Sequence, residues 1–167
     1  MSRQQRRSQA RARRQPRRST LTPWLIGGGV VAGIVGLFLY LGAQPLTPKV
    51  GDHWHTGFKV IICGEQTPPL PASAGDIHTH GDSVIHIHPN RPDTAGRNAT
   101  LGTFLRSTTL RVTQRSIEIA GKAYNDGDAC ADGRAGRVSV LVNGKARPDF
   151  ESYVPQDRDQ IEFRFGP

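Results

Sequence analysis

The stretch Ile77–Pro89, IHTHGDSVIHIHP, contains four of the six histidines of this chain, arranged as two His-x-His pairs. The other two, His53 and His55, form a third pair in the upstream sequence DHWH. Residues i and i+2 of a β-strand point to the same side of the strand. Each pair therefore shares one face of a strand, and the turn between the strands decides whether the two pairs of Ile77–Pro89 share a face with each other.

The isoleucines of this stretch decide the register of the hairpin that we predict there. A two-residue turn would place the two histidine pairs on opposite faces, whereas a three-residue turn, Gly81–Ser83, pairs His78 with His86. An odd loop length keeps three isoleucines on one face of the hairpin, namely Ile77, Ile85 and Ile87. A slip of one residue would move some of these apolar side chains into water. We therefore predict that the register that buries the isoleucines gathers the four histidines on the other face.

Imidazole rings gathered in this way predict a metal site. Directly opposed Cβ atoms in a sheet lie about 5 Å apart, and several rings can converge on one ion at about 2.0–2.1 Å from each nitrogen. Imidazole suits the divalent ions of Zn, Cu and Ni. Asp76 and Asp82 are predicted to accept hydrogen bonds from imidazole N–H groups. The predicted ligands are His78, His80, His86 and His88, with His53 and His55 either completing the site or supporting the ligands from outside it.

Other interpretations of the histidines remain open at this point. The rings can form a solvated polar face, or a group that senses pH by protonation near about 6.5. If the metal keeps an open position, a bound water can support hydrolysis with Asp82 or Glu65 as the base. Catalytic activity is therefore uncertain, and metal binding without catalysis is the preferred interpretation.

The two cysteines, Cys63 and Cys130, are predicted to form a disulfide, because a lone pair of cysteines outside the reducing cytosol is more often structural. A thiolate metal ligand is the alternative. Since Met1 is the single methionine of the chain, a soft Cu(I) site is not favoured.

The basic charge of the chain is concentrated at its beginning. Residues 1–18 carry eight of the 22 Lys and Arg residues and no acid, so the remaining 14 are matched by the 14 Asp and Glu residues. A nucleic-acid-binding domain carries a basic face of its own, and we therefore do not expect nucleic acid as a partner. Residues 1–20 are predicted to be a disordered cytoplasmic tail that contacts anionic lipid.

No charged residue occurs from Leu21 to Ala43, and about 20 apolar residues cross a membrane as a helix. Residues 21–43 are therefore predicted to be an uncleaved signal-anchor helix of a single-pass membrane protein. Arginines before it place the N-terminus in the cytoplasm by the positive-inside rule. Small residues such as Gly29 and Gly33 predict a homodimer contact through this helix. Residues 44–51 are predicted to be a linker, and 52–167 an extracytoplasmic domain.

The sequence of residues 52–167 predicts an α+β fold that is mostly β. Short alternating runs such as RVSVLV and IEFRF are typical of strands, and the Asn143-Gly144 dipeptide indicates a hairpin turn. One short helix is predicted around Leu101–Leu105, with Asn98 as its N-cap. The C-terminal residues 140–167, VLVNGKARPDFESYVPQDRDQIEFRFGP, resemble the last strands of a ubiquitin-like β-grasp domain.

The segments DHWH, IHTHGDSVIHIHP and GRNATLGTFL together resemble a family of uncharacterised bacterial single-pass membrane proteins. The resemblance covers most of residues 50–110. It implies a layout of tail, membrane anchor and outer domain, and it implies no activity. The alternative to metal binding is an interaction module without metal, in which a β-grasp-like domain presents its sheet to an envelope partner.

Overall fold

The computed structural model describes residues 22–42 and 46–167. The chain consists of two compact units, residues 1–44 and 45–167. The described part of the first unit is one helix, α1, Thr22–Gly42.

The structure corrects one part of the predicted fold, the transmembrane helix. Among the described residues, no helix has the length and apolar content that crossing a membrane requires. The transmembrane helix predicted over residues 21–43 is therefore wrong. The prediction relied on two local signals, the absence of charge between Leu21 and Ala43 and the length of that stretch.

Other predictions for the first 51 residues are only partly covered by the structure. The basic tail, residues 1–20, and its lipid contact lie outside the described residues. The homodimer contact predicted from small residues stays a prediction. The described part of the predicted linker bonds to the second unit's main body: the Gly51 N–H donates to the Pro89 carbonyl at 2.9 Å, and the Gly96 N–H donates to the Pro48 carbonyl at 2.6 Å.

The second unit is α+β and mostly β. Its described helical segments are α2, Leu101–Ser107, and two short 3-10 turns, Gly96–Asn98 and Phe150–Ser152. Thr100, and not the predicted Asn98, is the N-cap of α2, and its hydroxyl accepts from the Thr103 N–H at 3.2 Å. The strands are β1 Trp54–Ile62, β2 Glu65–Gln66, β3 Ile77–His78, β4 Val84–Ile87, β5 Arg111–Val112, β6 Ser116–Ile119, β7 Lys122–Asn125, β8 Arg137–Val142, β9 Lys145–Ala146 and β10 Gln160–Gly166.

The main sheet has the strand order β3-β4-β1-β10-β8-β9, and β2 pairs with the far end of β1. Its two central strands, β1 and β10, run parallel, and each is flanked by antiparallel partners. Strands β5, β6 and β7 form a separate antiparallel sheet. The pairing of β4 with β1 is the feature of this topology that builds the site described below.

One face of the main sheet forms the core of the unit. On β1, Phe58 and Val60 are buried, and the Phe58 ring lies 5.2 Å from the Phe104 ring of α2. From the second sheet, the Tyr124 ring lies 5.4 Å from the Phe165 ring of β10. Because strand residues alternate between faces, side chains of the opposite parity on β1 and β4 point away from this core.

The predicted disulfide between Cys63 and Cys130 is confirmed. Cys63 lies in the turn between β1 and β2, and Cys130 lies in the segment between β7 and β8, with their Cα atoms 5.6 Å apart. The bridge closes a loop with a sequence separation of 67 residues. It therefore links the strand that carries the upstream histidine pair to the C-terminal half of the unit.

Candidate metal centre

Three adjacent strands carry His55, His78 and His86, and the other three histidines lie within two residues of a strand end. In the register of the sheet, His78 of β3 lies opposite His86 of β4, and His86 lies opposite His55 of β1. The pairing of Ile77 with Ile87 gives the odd-loop register that the isoleucines predict, which is confirmed. The three isoleucines are at most 2% exposed, so the histidines of these strands point to the other face.

The connection between β3 and β4 is longer than the predicted three-residue turn. The strands end at His78 and begin at Val84, which leaves residues 79–83 between them. Gly81 and Ser83 adopt positive φ angles of 85° and 60° there. A left-handed backbone is easy for glycine and costs energy for serine. Five residues, like three, keep the loop odd, and the register is therefore unchanged.

Four histidines lie close enough together to hold one metal ion. One ring nitrogen from each of four residues falls within 4.8 Å of the others: His53, His55, His86 and His88. The ring centroids of His53 and His88 are 3.6 Å apart, those of His53 and His55 are 4.4 Å apart, and those of His55 and His86 are 4.9 Å apart. The two upstream rings are exposed and the other two are half-buried. We call these four residues the histidine quartet.

His78 and His80, two of the predicted ligands, lie beside the quartet and not within it. Their Nε2 atoms are 3.2 Å apart. The His80 ring lies 4.5 Å from the His86 ring, and the His78 ring lies 5.6 Å from it. All six histidines are thus in one continuous cluster. The sequence predicted only a secondary role for His53 and His55, because no local pattern indicates that β1 pairs with β4.

Asp82 orients His86. Its Oδ2 atom lies 2.8 Å from His86 Nε2, and its Oδ1 atom accepts from the Val84 N–H at 3.1 Å. Burial acts to raise the pKa of Asp82, but the hydrogen bonds from His86 and Val84 outweigh it and lower the pKa to about 2. The carboxylate is therefore ionised at neutral pH and can only accept. His86 Nε2 must donate, which leaves the lone pair of the neutral ring on Nδ1.

The surroundings of two rings, His88 and His78, favour the neutral form by lowering the pKa of each. Burial lowers the pKa of His88, and repulsion from His53 and the other neighbouring histidines adds to the effect. Burial also lowers the pKa of His78, with repulsion from His80 next in size. The neutral ring is the form that binds a metal.

Two buried ring nitrogens are left without a hydrogen-bond partner among the described residues: His78 Nδ1 and His88 Nε2. The Gly75 carbonyl acts to raise the pKa of His78, but it lies outside hydrogen-bonding geometry. Buried polar groups in proteins are usually paired, and an unpaired one costs about 1–3 kcal/mol. An ion bound by the quartet would give the unpaired nitrogen of His88 a partner.

The remaining predicted residues lie elsewhere. Asp76 accepts from the Asn90 N–H at 2.9 Å and from the Thr94 hydroxyl at 2.5 Å, so its carboxylate holds the loop after β4. Glu65 is on β2, paired with Ile62 at the opposite end of β1 from His55. Seven residues of strand span about 23 Å. The structure therefore does not bring Glu65 to the histidines.

The donor chemistry of the quartet fits a divalent transition metal. The four donors are imidazole nitrogens, and both cysteines of the chain are used in the disulfide. Two nitrogens on one tetrahedral ion at about 2.0–2.1 Å are about 3.3 Å apart. Atoms now within 4.8 Å of one another reach that spacing by side-chain rotation, which the two exposed rings can make without disturbing the core.

No family model, no curated protein and no solved structure matches this chain. The predicted resemblance to a family of bacterial membrane proteins and the β-grasp-like character of residues 140–167 stay predictions. The assignment of function therefore depends on the geometry of the histidine cluster.

Proposed function

We propose that this protein binds a divalent transition metal ion through His53, His55, His86 and His88. The observation that carries the proposal is the convergence of four ring nitrogens, from two segments distant in sequence, within 4.8 Å. The sheet pairing that buries the isoleucines of β4 also brings these strands together. The ligands are therefore placed by the fold itself, which reduces the conformational entropy that ion binding would otherwise cost.

The donor set favours Zn²⁺, Cu²⁺ and Ni²⁺ over harder or softer ions. Ca²⁺ and Mg²⁺ prefer oxygen ligands, and the quartet offers nitrogen alone. Cu(I) prefers thiolate and thioether sulfur, which the quartet does not offer. For nitrogen ligands the affinity order places Cu²⁺ above Ni²⁺ and Zn²⁺, and we expect the same order here.

Asp82 supports the site without binding this ion. Its carboxylate fixes the tautomer of His86, in the arrangement of carboxylate, histidine and metal that is common in metalloproteins. Because that carboxylate is occupied by His86 Nε2 at 2.8 Å, we propose binding and not hydrolysis as the function of the site.

The disulfide supports a place for this domain in an oxidising compartment. Disulfides persist in secreted and periplasmic proteins and are rare in the reducing cytosol. The proposal is therefore that the site takes up its ion outside the cytosol. A test is the redox state of Cys63 and Cys130 in the native host, measured by thiol alkylation of rapidly quenched cells. Two free thiols would contradict it.

The metal proposal is tested with the full chain, untagged and with its disulfide intact. Zn²⁺, Ni²⁺ and Cu²⁺ are titrated separately in competition with a chromophoric chelator. The double variant His53→Ala/His55→Ala removes the two exposed ligands and leaves the isoleucine core untouched. The matched control is Lys59→Ala, which changes a half-buried side chain of the same parity on β1 that pairs with Glu162 and contacts no histidine of the cluster.

We expect the native chain and the Lys59→Ala variant to bind with the same affinity, and the double variant to lose at least about tenfold. Co²⁺ substitution adds a spectroscopic readout, because its visible absorption reports nitrogen coordination. A chain that competes with the chelator no better than the double variant does would overturn the proposal, and an interaction module without metal would then be the better interpretation.

A further inference from the structure

Two histidines remain after the quartet is assigned, and their ring nitrogens have the spacing of two ligands of one ion. The Nε2 atoms of His78 and His80 are in hydrogen-bonding contact at 3.2 Å. Two nitrogens on one tetrahedral ion lie about 3.3 Å apart. An ion would replace this hydrogen bond, and the two rings would rotate so that both Nε2 lone pairs face the ion at nearly the same nitrogen–nitrogen distance.

A carboxylate lies next to the pair. Asp82 follows His80 by two residues, and its Oδ1 atom accepts from the Thr79 hydroxyl at 3.3 Å. Its charge acts on the His78 ring by attraction. Its Oδ2 atom is bonded to His86 Nε2, so Oδ1, on a side chain that is 42% exposed, is the oxygen that would bind an ion. A carboxylate with two imidazoles is a common ligand set for Zn²⁺ and related ions.

We propose that His78, His80 and Asp82 hold a second divalent transition metal ion beside the ion of the quartet. His86 lies between the two sites, because its ring is 4.9 Å from that of His55 and 4.5 Å from that of His80. The proposal rests on the proposed function for the first ion, and it extends the capacity of the cluster to two ions per chain.

The second ion is expected to bind more weakly than the first. Two divalent ions on either side of one imidazole ring repel each other, and Asp82 is the one carboxylate assigned to offset that charge. The same carboxylate must then be shared between His86 and the second ion. Filling is therefore sequential, with a strong step followed by a weaker one.

The test counts ions by native mass spectrometry of the untagged full chain, titrated with Zn²⁺. Two double variants are compared with the native chain, His53→Ala/His55→Ala and His78→Ala/His80→Ala. Lys59→Ala is again the control. Circular dichroism checks that each variant is folded, and the single variant His80→Ala, at an exposed position, replaces the second double variant if that one does not fold.

We expect two ions on the native chain and one on each double variant, with the weaker step lost when His78 and His80 are changed. One ion on the native chain that survives the loss of His78 and His80 would overturn this inference and leave the quartet standing. One ion lost in both variants would also overturn it, because a single centre would then use all six rings. If the native chain binds one ion, and the ion is kept in His53→Ala/His55→Ala but lost in His78→Ala/His80→Ala, the quartet would be overturned, and with it the two-ion inference. No bound ion would overturn both proposals.

Discussion

His55 of β1 and His86 of β4 lie directly opposite each other in the main sheet, with their ring centroids 4.9 Å apart. This pair belongs to the pairing of β1 with β4, which joins the upstream histidine pair to the histidine-rich hairpin. Without that strand pairing, the chain would have a four-histidine hairpin and an unrelated DHWH motif. With it, six rings form one cluster, and the two pairs nearest to the β1–β4 contact form the quartet.

We expect Asp82→Asn to weaken binding of the first ion by about 10–100-fold, which is typical of losing the group that orients a metal-bound histidine. Asparagine can donate as well as accept, so it no longer selects the tautomer of His86. Zn²⁺ affinity is measured at less than one ion per chain, where the stronger site dominates. Asp93→Asn, at an exposed carboxylate paired with Arg91, should leave the affinity unchanged. Equal losses in both variants would contradict an orienting role for Asp82.

Without metal, the free energy of unfolding should fall as the pH is lowered below about 6.5. The pKa values of His78 and His88 are lower in the folded protein than the ordinary value of 6.5. Above pH 6.5 these two rings are neutral in both the folded and the unfolded chain, and their contribution to the free energy of unfolding is fully present. Below 6.5 the unfolded chain takes up protons that the folded chain does not, and stability is lost until the pH passes the folded pKa values.

The pH prediction is checked by urea unfolding in the presence of a chelator, from pH 7.5 down to pH 5. The double variant His78→Gln/His88→Gln removes both titrating groups and should show a flatter dependence over the same range. A native chain whose stability is constant or rises on acidification would show that these rings are not held neutral by the fold.

Ile87→Ala should destabilise the fold by about 2–5 kcal/mol, because the side chain is fully buried and its loss leaves a cavity. The matched control is Val84→Ala on the same strand. Val84 is half-buried and on the opposite parity, and we expect a loss of about 1 kcal/mol or less. Equilibrium unfolding measures both. The reverse order of the two losses would mean that β4 presents its other face to the core.

Reduction of the Cys63–Cys130 disulfide should destabilise the fold by about 4 kcal/mol on the chain-entropy model for a loop of this size. The measurement compares urea midpoints with and without a reductant. The double variant Cys63→Ser/Cys130→Ser should be less stable than the native chain and insensitive to the reductant. An unchanged midpoint after complete reduction of the native chain would contradict the prediction, because the chain-entropy model attributes the stabilisation to the restricted unfolded chain.

Several features of the fold could be predicted from local patterns. The alternation of isoleucine and histidine in IHTHGDSVIHIHP predicted both the register of β3 with β4 and the face that is buried. The short helix was predicted at its observed place, although its N-cap is Thr100, because Asn98 lies within the preceding 3-10 turn. The transmembrane helix was predicted wrongly from two local signals, the absence of charge and the length of the stretch.

The ligand set was harder to predict than the hairpin. Sequence reasoning ranked His78 and His80 as ligands together with His86 and His88, since all four belong to one hairpin. The structure groups His86 and His88 with His53 and His55 instead. The cause is the pairing of β4 with β1, which places the upstream pair on the side of β4 that faces away from β3.

The sequence by itself determined which residues alternate, which face of each strand is apolar, and that three His-x-His pairs each present two rings to one side. These properties follow from the two-residue period of a strand and need no information about distant residues. Tertiary structure alone decided which pairs meet. Strand order in a sheet depends on the packing of the whole core, here on β1 lying between β4 and the C-terminal strand β10. The histidine quartet is a consequence of that order.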